Sequence, residues 1–379
     1  MLPIAVALLT GCRGRPPPTG AACSLADCRD AGTDTSGDAG SDVDDDVPEV
    51  DAGVARAIPR NVVLFIGDGM GAEQQRAARM FKNGDTAPLA FEAFEHTGCV
   101  HTTNASGEVT DSAAAATAMA TGQKVDNRVI SLATPGDGHE LPTVVELQQA
   151  RGKSAALVTT ATNLTDATPA AFGAHAPSRY DDAIIAAGYL QRSRPAVLMG
   201  GPSANLTADT AAAAGYAAAK TTDDLEALAS AGTTPLCGVF DAEAPSLADR
   251  TRVALEELMA DDDGFFLLVE HEGSDTGGHT NDLATVIDAV LALDAAVEVA
   301  LELTANGDDT LILVTGDHET GGLTVTETAP AIGVLPAHAY SSTGHTANDV
   351  PIFAAGPGAD AVAGCFENTR IFSILMDTR

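Results

Sequence analysis

Six short, uninterrupted apolar runs limit how this chain can fold. They lie at residues 62–66, 155–158, 197–199, 265–269, 311–314 and 351–354, with Ala-rich segments of helical character at 113–120, 225–230, 251–259 and 283–303 between them. A strand that is apolar at every position, rather than at alternate ones, must be covered on both faces. Alternation of such strands with helices predicts a mostly parallel central sheet between two helical layers, a three-layer α/β/α sandwich. With 379 residues, 45% of them hydrophobic, the chain can build a core of that size. No internal repeat is present.

Most of these runs lead directly, or within a few residues, to polar side chains of chemical types used in active sites. Ile66 precedes Asp68, Val158 leads toward Asp166 and Thr168, Val269 precedes Glu270 and Asp275, and Val314 precedes Asp317 and His318. Ligands of open α/β sheets bind beyond the carboxyl ends of the strands, so these side chains are expected to converge on one edge. Gly67-Asp68-Gly69-Met70-Gly71 allows backbone to approach a ligand closely, although alone it reads equally as a strand-to-helix turn with a capping Asp. Ser112 precedes the run Ala113–Ala116 and so falls at a helix N-terminus, where backbone N–H groups favour an alkoxide or phosphate. Taken alone, it also reads as a simple N-cap.

Asp275 and His279 are four apart, on one helical face or loop rim, and carboxylate with imidazole is a zinc-binding combination. Asp317-His318 form an adjacent pair at a strand end, and His345 lies in Ser342-Thr343-Gly344-His345-Thr346 before the last strand. Together, three His, three Asp and one Glu supply ligands for two borderline metals and a harder third. A serine hydroxyl beside two divalent cations is substantially ionised near neutral pH.

Charge excludes some functions. With 53 acidic against 20 basic residues and a net charge of −33, the surface repels nucleic acid and anionic lipid. Added salt should therefore not weaken capture of an anionic substrate. Residues 1–12 read as a secretory leader: an apolar run from Leu2 to Leu9 followed by Leu9-Thr10-Gly11-Cys12, which resembles the lipobox of bacterial lipoproteins. No Lys or Arg precedes that run, and an ordinary cleaved signal is the alternative. Residues 13–57, rich in Pro, Gly, Ser, Thr and Asp, read as a disordered acidic linker. The expected location is the periplasm or an outer-membrane anchor through Cys12, and residues 58–379 are the expected catalytic domain. Cys23 and Cys28 are close enough to pair in an oxidising compartment. Cys99, Cys237 and Cys365 cannot all pair with one another, and Cys99 and Cys365 read as buried small residues or a disulfide.

As a set, Gly67-Asp68-Gly69-Met70-Gly71, Asp111-Ser112-Ala113, Asp166-Ala167-Thr168-Pro169, Glu270 with Asp275 and His279, Asp317-His318 and the His345 loop resemble the motifs of alkaline phosphatases, in that family's order. The match runs from about Asn61 to the C-terminus. The resemblance implies an alkaline phosphatase-like sandwich carrying two zincs and one magnesium at the sheet edge. It implies Asp275, His279 and His345 for one zinc, and Asp68, Asp317 and His318 for the other, beside the nucleophile Ser112. Thr168 and Glu270, with Asp68, are implied for magnesium, with Asp166 near its waters. Arg179 is implied to grip the phosphate, oriented by Asp111.

The implied activity is hydrolysis of small phosphate monoesters through a phosphoserine. Phosphodiesterase or sulfatase chemistry on the same scaffold, or a non-catalytic zinc-binding surface lipoprotein, are the competing readings. Two departures stand out. Thr276 replaces the Lys, His or aromatic residue frequent in relatives, with weaker phosphate retention expected. The segment between His318 and His345 is short where relatives insert an interface subdomain, which leaves a homodimer an open expectation. His96, His101 and His139 read as surface or packing residues, and His175 and His338 are left without a role.

Overall fold

Val62 to Ile66 lie in strand β1, Asn61–Gly67, and each of their side chains is fully buried. The computed structural model describes residues 57–241, 244–305, 309–328 and 331–379. The leader, Cys12, Cys23, Cys28 and the linker up to residue 56 lie outside the described residues.

Strands β2 His96–His101, β3 Ser154–Thr159, β4 Val197–Gly200, β5 Ala217–Ala219, β6 Leu236–Val239, β7 Phe265–His271 and β8 Thr310–Gly316 follow β1 along the chain. Then come β9 Glu319–Thr320, β10 Leu323–Val325, β11 His338–Tyr340, β12 His345–Thr346, β13 Val350–Ala355 and β14 Gly364–Glu367. The helices are α1 Ala72–Asn83, α2 Ser112–Thr121, α3 Val144–Gln149, α4 Ala167–Gly173, α5 Asp182–Ala187 and α6 Ala208–Ala213. They continue with α7 Thr222–Ser230, α8 Leu247–Leu258, α9 Gly273–Thr280, α10 Leu283–Thr304 and α11 Thr369–Met376.

Ten strands form one sheet in the order β14-β2-β13-β8-β1-β7-β3-β4-β6-β5. Every neighbouring pair is parallel except those made by β13, which runs antiparallel to both β2 and β8.

Successive strand residues point to opposite faces, and both faces are covered. Val62, Leu64 and Ile66 pack with Leu157, Leu268 and Leu313 against Ala116 and Met119 of α2, Phe172 of α4 and Ile371 of α11. Val63 and Phe65 pack with Val158, Leu267 and Val314 against Met80 of α1, Val253 of α8 and Val290 of α10. Each such side chain contributes roughly 1.5–3 kcal/mol when fully buried. The expected α/β/α sandwich is therefore the observed fold. All ten residues of α2 are buried, and its alanines let α4 and α11 lie close against it.

Cys99 on β2 and Cys365 on β14 face each other in parallel register and form a disulfide, while Cys237 is buried and free. The bridge joins residues 266 positions apart, so it strongly restricts the unfolded chain. Replacing both cysteines by Ser is expected to lower unfolding stability by about 2–5 kcal/mol. Urea titrations of the oxidised chain and the double variant check this, and coincident midpoints would refute it.

Candidate active site

The parallel pairing of β8, β1 and β7 sets Gly316, Gly67 and His271 level at their carboxyl ends. Asp68 and Asp317 therefore leave adjacent strands side by side, with Glu270 the second-last residue of the neighbouring β7. Gly69 turns the chain with φ +68°, and a Cβ there would lie 2.7 Å from the Asp275 Cα. Only glycine brings these segments so close. Its N–H donates to Asp317 Oδ1 at 3.0 Å. The short antiparallel pair β9–β12 then carries His345 opposite Thr320, bringing the last imidazole to the Asp317-His318 turn.

Three donor atoms converge first on Asp275, His279 and His345, whose ligand atoms lie within 4.8 Å of one another. Asp275 and His279 share one face of α9 as their four-residue spacing predicts, with Asp275 Oδ2 3.2 Å from His279 Nε2. His345 Nε2 is 3.3 Å from Asp275 Oδ1 and 3.2 Å from His279 Nε2. His279 Nδ1 donates to the Thr343 carbonyl at 2.6 Å, and His345 Nδ1 to the Thr110 carbonyl at 2.9 Å. A carbonyl only accepts, so each Nδ1 carries a proton and each Nε2 faces inward, where loss of its proton leaves a lone pair for a cation. Two lone pairs and a carboxylate facing one point are suited to a cation.

His318 builds the second grouping. Its Nε2 lies 3.3 Å from Ser112 Oγ, 3.4 Å from Asp68 Oδ1 and 3.3 Å from Asp317 Oδ2. Burial, reinforced by His345, holds His318 well below its ordinary pKa, so the ring is neutral. Burial and the neighbouring Asp317, Asp275 and Glu270 push the Asp68 carboxyl up, and burial pushes Asp317 up to about 7. Asp68 Oδ1 and Asp317 Oδ2 are buried and accept no hydrogen bond. Orphaned carboxylate oxygens beside a neutral imidazole have the chemistry of a divalent-cation site. Asp275 belongs to this grouping as well, within reach of Asp68 and His318. The sequence placed it in the first grouping alone.

The residues implied for magnesium lie on separate elements, Thr168 on α4 and Glu270 on β7. Thr168 Oγ1 is buried without a partner, and burial with Glu272 raises the Glu270 carboxyl well above its ordinary value. Glu270 accepts from Thr159 Oγ1 and acts electrostatically on Asp68. An unsatisfied hydroxyl and two crowded carboxyls fit a hard, oxygen-seeking ion.

Ser112 opens α2 and is buried, with Asp111 as N-cap: Asp111 Oδ1 accepts from the Ala114 N–H at 3.0 Å. Asp111 Oδ2 accepts from the Arg128 N–H at 2.9 Å and from Arg179 Nη1 at 3.5 Å. Arg179 Nη2 donates to Asp166 Oδ1 at 2.9 Å, a closer bond than the one to Asp111. Burial opposes its charge, yet Asp166 and Asp111 keep its pKa above the ordinary value. Asp166 is thus the nearer anchor of the guanidinium, besides capping α4. Ser112, Asp166, Arg179, Asp275, His279 and His345 line one cavity of about 360 Å³. Thr276 is exposed, one residue beyond Asp275, and does not line that cavity.

Two residues went unassigned in the sequence although they lie inside its motifs. Thr320 Oγ1 donates to Asp275 Oδ1 at 2.5 Å and sits 3.2 Å from His318 Nδ1, so it orients both groupings. Glu272 is pushed up to about 7 by burial, with Asp166 and Asp275 adding to it. Of the remaining histidines, His101 and His139 pair with the surface carboxylates of Asp349 and Asp137.

His175 does have a structural role. Its Nδ1 lies 2.9 Å from the Ser131 carbonyl and its Nε2 3.1 Å from Glu146 Oε1. Two acceptors require both ring nitrogens to carry protons. Against burial, Glu146 and the Ser131 carbonyl hold its pKa above 6.5. The ring ties the segment leading to Arg179 to α3. A raised folded pKa contributes stability fully below about 6.5, and that contribution is lost as pH rises through the folded value. Wild type should therefore exceed His175→Gln in stability most at pH 6, with the gap shrinking toward pH 9. Urea midpoints across that range test this, and a pH-independent gap would contradict it.

A family model described as alkaline phosphatase matches residues 59–230 and 221–339. Alkaline phosphatase 3 of Bacillus subtilis (strain 168) is 33% identical over 295 residues, 70% of this chain and 62% of that protein. This chain thus spans less than two thirds of that relative's length. Alkaline phosphatase 4 of the same organism is 30% identical, over 83% of this chain and 88% of that protein. Among solved structures, the cold-active alkaline phosphatase of a psychrophilic Shewanella sp. superposes with a TM-score of 0.75 at 28% identity, over 83% of this chain and 98% of that one. A mutant of the alkaline phosphatase from TAB5, with Mg bound in its M3 site, gives a TM-score of 0.73 at 28% identity, over 85% and 98% of the two chains. Sequence, fold and the family model agree along the described domain, and the chain belongs to the alkaline phosphatase family.

Proposed function

We propose that the chain is a phosphomonoesterase acting on small phosphate monoesters through a phosphoserine on Ser112. The observation that carries this reading is Ser112, whose Oγ lies 3.3 Å from His318 Nε2 and which lines one cavity with Arg179, Asp275, His279 and His345. Asp275, His279 and His345 would hold one zinc, and Asp68, Asp317 and His318 a second. Thr168 and Glu270, with Asp68, would hold magnesium. Cations bound there lower the pKa of nearby hydroxyls and neutralise phosphoryl charge.

The chain's own groups do the rest. Ser112 Oγ forms a bond to phosphorus as the bond to the ester oxygen breaks, and water then displaces the serine to release phosphate. The N-terminal end of α2 favours the negative charge. Arg179 offers two parallel N–H donors to phosphoryl oxygens, with Asp111 and Asp166 fixing its plane.

Hydrolysis of p-nitrophenyl phosphate by wild type and Ser112→Ala, with and without a chelator, tests the reading. Arg179→Ala is expected to lower kcat/KM for that monoester by about 10²-fold. A diester, with one negative charge, should suffer less. Wild-type activity on bis-p-nitrophenyl phosphate exceeding that on the monoester would favour the diesterase reading instead. The lipobox-like Leu9-Thr10-Gly11-Cys12 supports a lipid anchor, and the Cys99–Cys365 disulfide supports export to an oxidising compartment.

A further inference from the structure

The cavity that holds Ser112 and Arg179 has a further wall, built by Asn163, Tyr180 and Asp182. None of the three takes part in the chemistry above. Tyr180 is the residue immediately after Arg179, and it is 72% exposed. A single exposed aromatic is ordinary on a protein surface, but this one lies on a cavity wall, and hydrogen bonds fix the backbone that carries it. The Arg179 N–H donates to the Arg128 carbonyl at 2.7 Å, and the Tyr180 N–H donates to Ser178 Oγ at 3.2 Å.

Asp182 fixes the far end of the same segment. Its Oδ1 accepts from Thr165 Oγ1 at 2.5 Å, and its Oδ2 accepts from the Asn205 N–H at 2.9 Å and Asn205 Nδ2 at 2.6 Å. Burial opposes its charge, but these bonds with one from Ser203 hold the carboxyl below its usual range, so the wall carries a fixed negative charge. Arg179 is the one Lys or Arg among the lining residues.

We propose that Tyr180, with Asp182 and Asn163, forms the leaving-group subsite and takes planar aromatic leaving groups that bear no negative charge. This rests on the phosphomonoesterase reading. Arg179 and Tyr180 line the same cavity as Ser112, so an ester whose phosphoryl group is gripped by Arg179 has its leaving group in the space that Tyr180 walls. An aryl ring on that oxygen reaches the Tyr180 ring in an offset or edge-on arrangement. An anionic substituent on the ring meets Asp182 with no cation on the wall to offset it.

The test is steady-state kinetics with phenyl phosphate, 4-carboxyphenyl phosphate and glycerol 2-phosphate, on wild type, Tyr180→Ala, Tyr180→Phe and Asp182→Asn. Tyr180→Ala should raise KM for phenyl phosphate about 3- to 10-fold, while KM for glycerol 2-phosphate shifts less than about twofold. Tyr180→Phe should keep the wild-type KM for phenyl phosphate, because the ring face rather than the hydroxyl is used. Asp182→Asn should lower KM for 4-carboxyphenyl phosphate relative to phenyl phosphate. Should Asp182→Asn not fold, the Tyr180 pair still decides. Equal KM changes for the aryl and glycerol esters in Tyr180→Ala, or no change in either, overturn the subsite alone. Absence of hydrolysis of all three esters by metal-loaded wild type overturns the phosphomonoesterase reading, and the subsite with it.

Discussion

Ser112→Ala is expected to hydrolyse p-nitrophenyl phosphate with kcat/KM lower by about 10⁴-fold or more, because removing a nucleophile removes the covalent route itself. The residue is well suited to a clean test. Among the described residues its side chain makes one hydrogen bond, the 3.3 Å contact to His318 Nε2. Alanine is the strongest helix former, and the cap of α2 comes from Asp111, which the substitution leaves in place. Folding stability should therefore change by no more than about 1 kcal/mol. Trapping the enzyme with a ³²P-labelled monoester at acid pH should label wild type and leave the variant unlabelled. A folded variant that loses less than tenfold would remove Ser112 from the covalent step, whatever its position in the cavity.

Stripping divalent cations from the protein should abolish hydrolysis and soften the fold as well. Asp68, Glu270 and Asp317 are buried, and their carboxyls are raised by burial and by neighbouring carboxylates. Arg179 and His345 are set against this charge, Arg179 toward Asp68 and His345 toward Asp317. Each ion at a thousand times its dissociation constant stabilises the folded chain by about 4 kcal/mol. Calorimetry of the chelated and zinc-reconstituted protein should show a rise in Tm of several degrees. In His345→Ala, elemental analysis should find about one zinc fewer per chain, because one donor set loses its inward-facing lone pair. Equal Tm with and without metal, or full zinc content in His345→Ala, would contradict the proposed ligation.

Legibility in the sequence followed burial. Strands β1, β3, β4, β7 and β8 stood out because they occupy the middle of the sheet, where both faces are covered and each carries an unbroken apolar run. Strands β2, His96–His101, and β14, Gly364–Glu367, lie at one end of the sheet and are half exposed, so their residues carry no unbroken apolar run. At the other end β5 is three alanines, and its neighbour β6 is four residues with a central glycine. Both are too short to rise above the surrounding Ala- and Gly-rich chain.

The identities of the site residues were readable because their chemistry is carried by residue type and local spacing. Asp275 and His279 share a helix face by their separation alone, and Ser112 opens a helix because of the alanines that follow it. Which groups meet was decided by long-range pairing. The register that levels Gly67 with Gly316 and His271 puts Asp68, Glu270 and Asp317 together, and the β9–β12 pair delivers His345. That same packing placed Asp275 within reach of two groupings, made Asp166 the closer partner of Arg179, set Thr320 against both Asp275 and His318, and joined Cys99 to Cys365. Side-chain type is a local property of the chain, whereas these contacts join residues up to 266 positions apart. They exist only once the sheet has fixed the order and register of its strands.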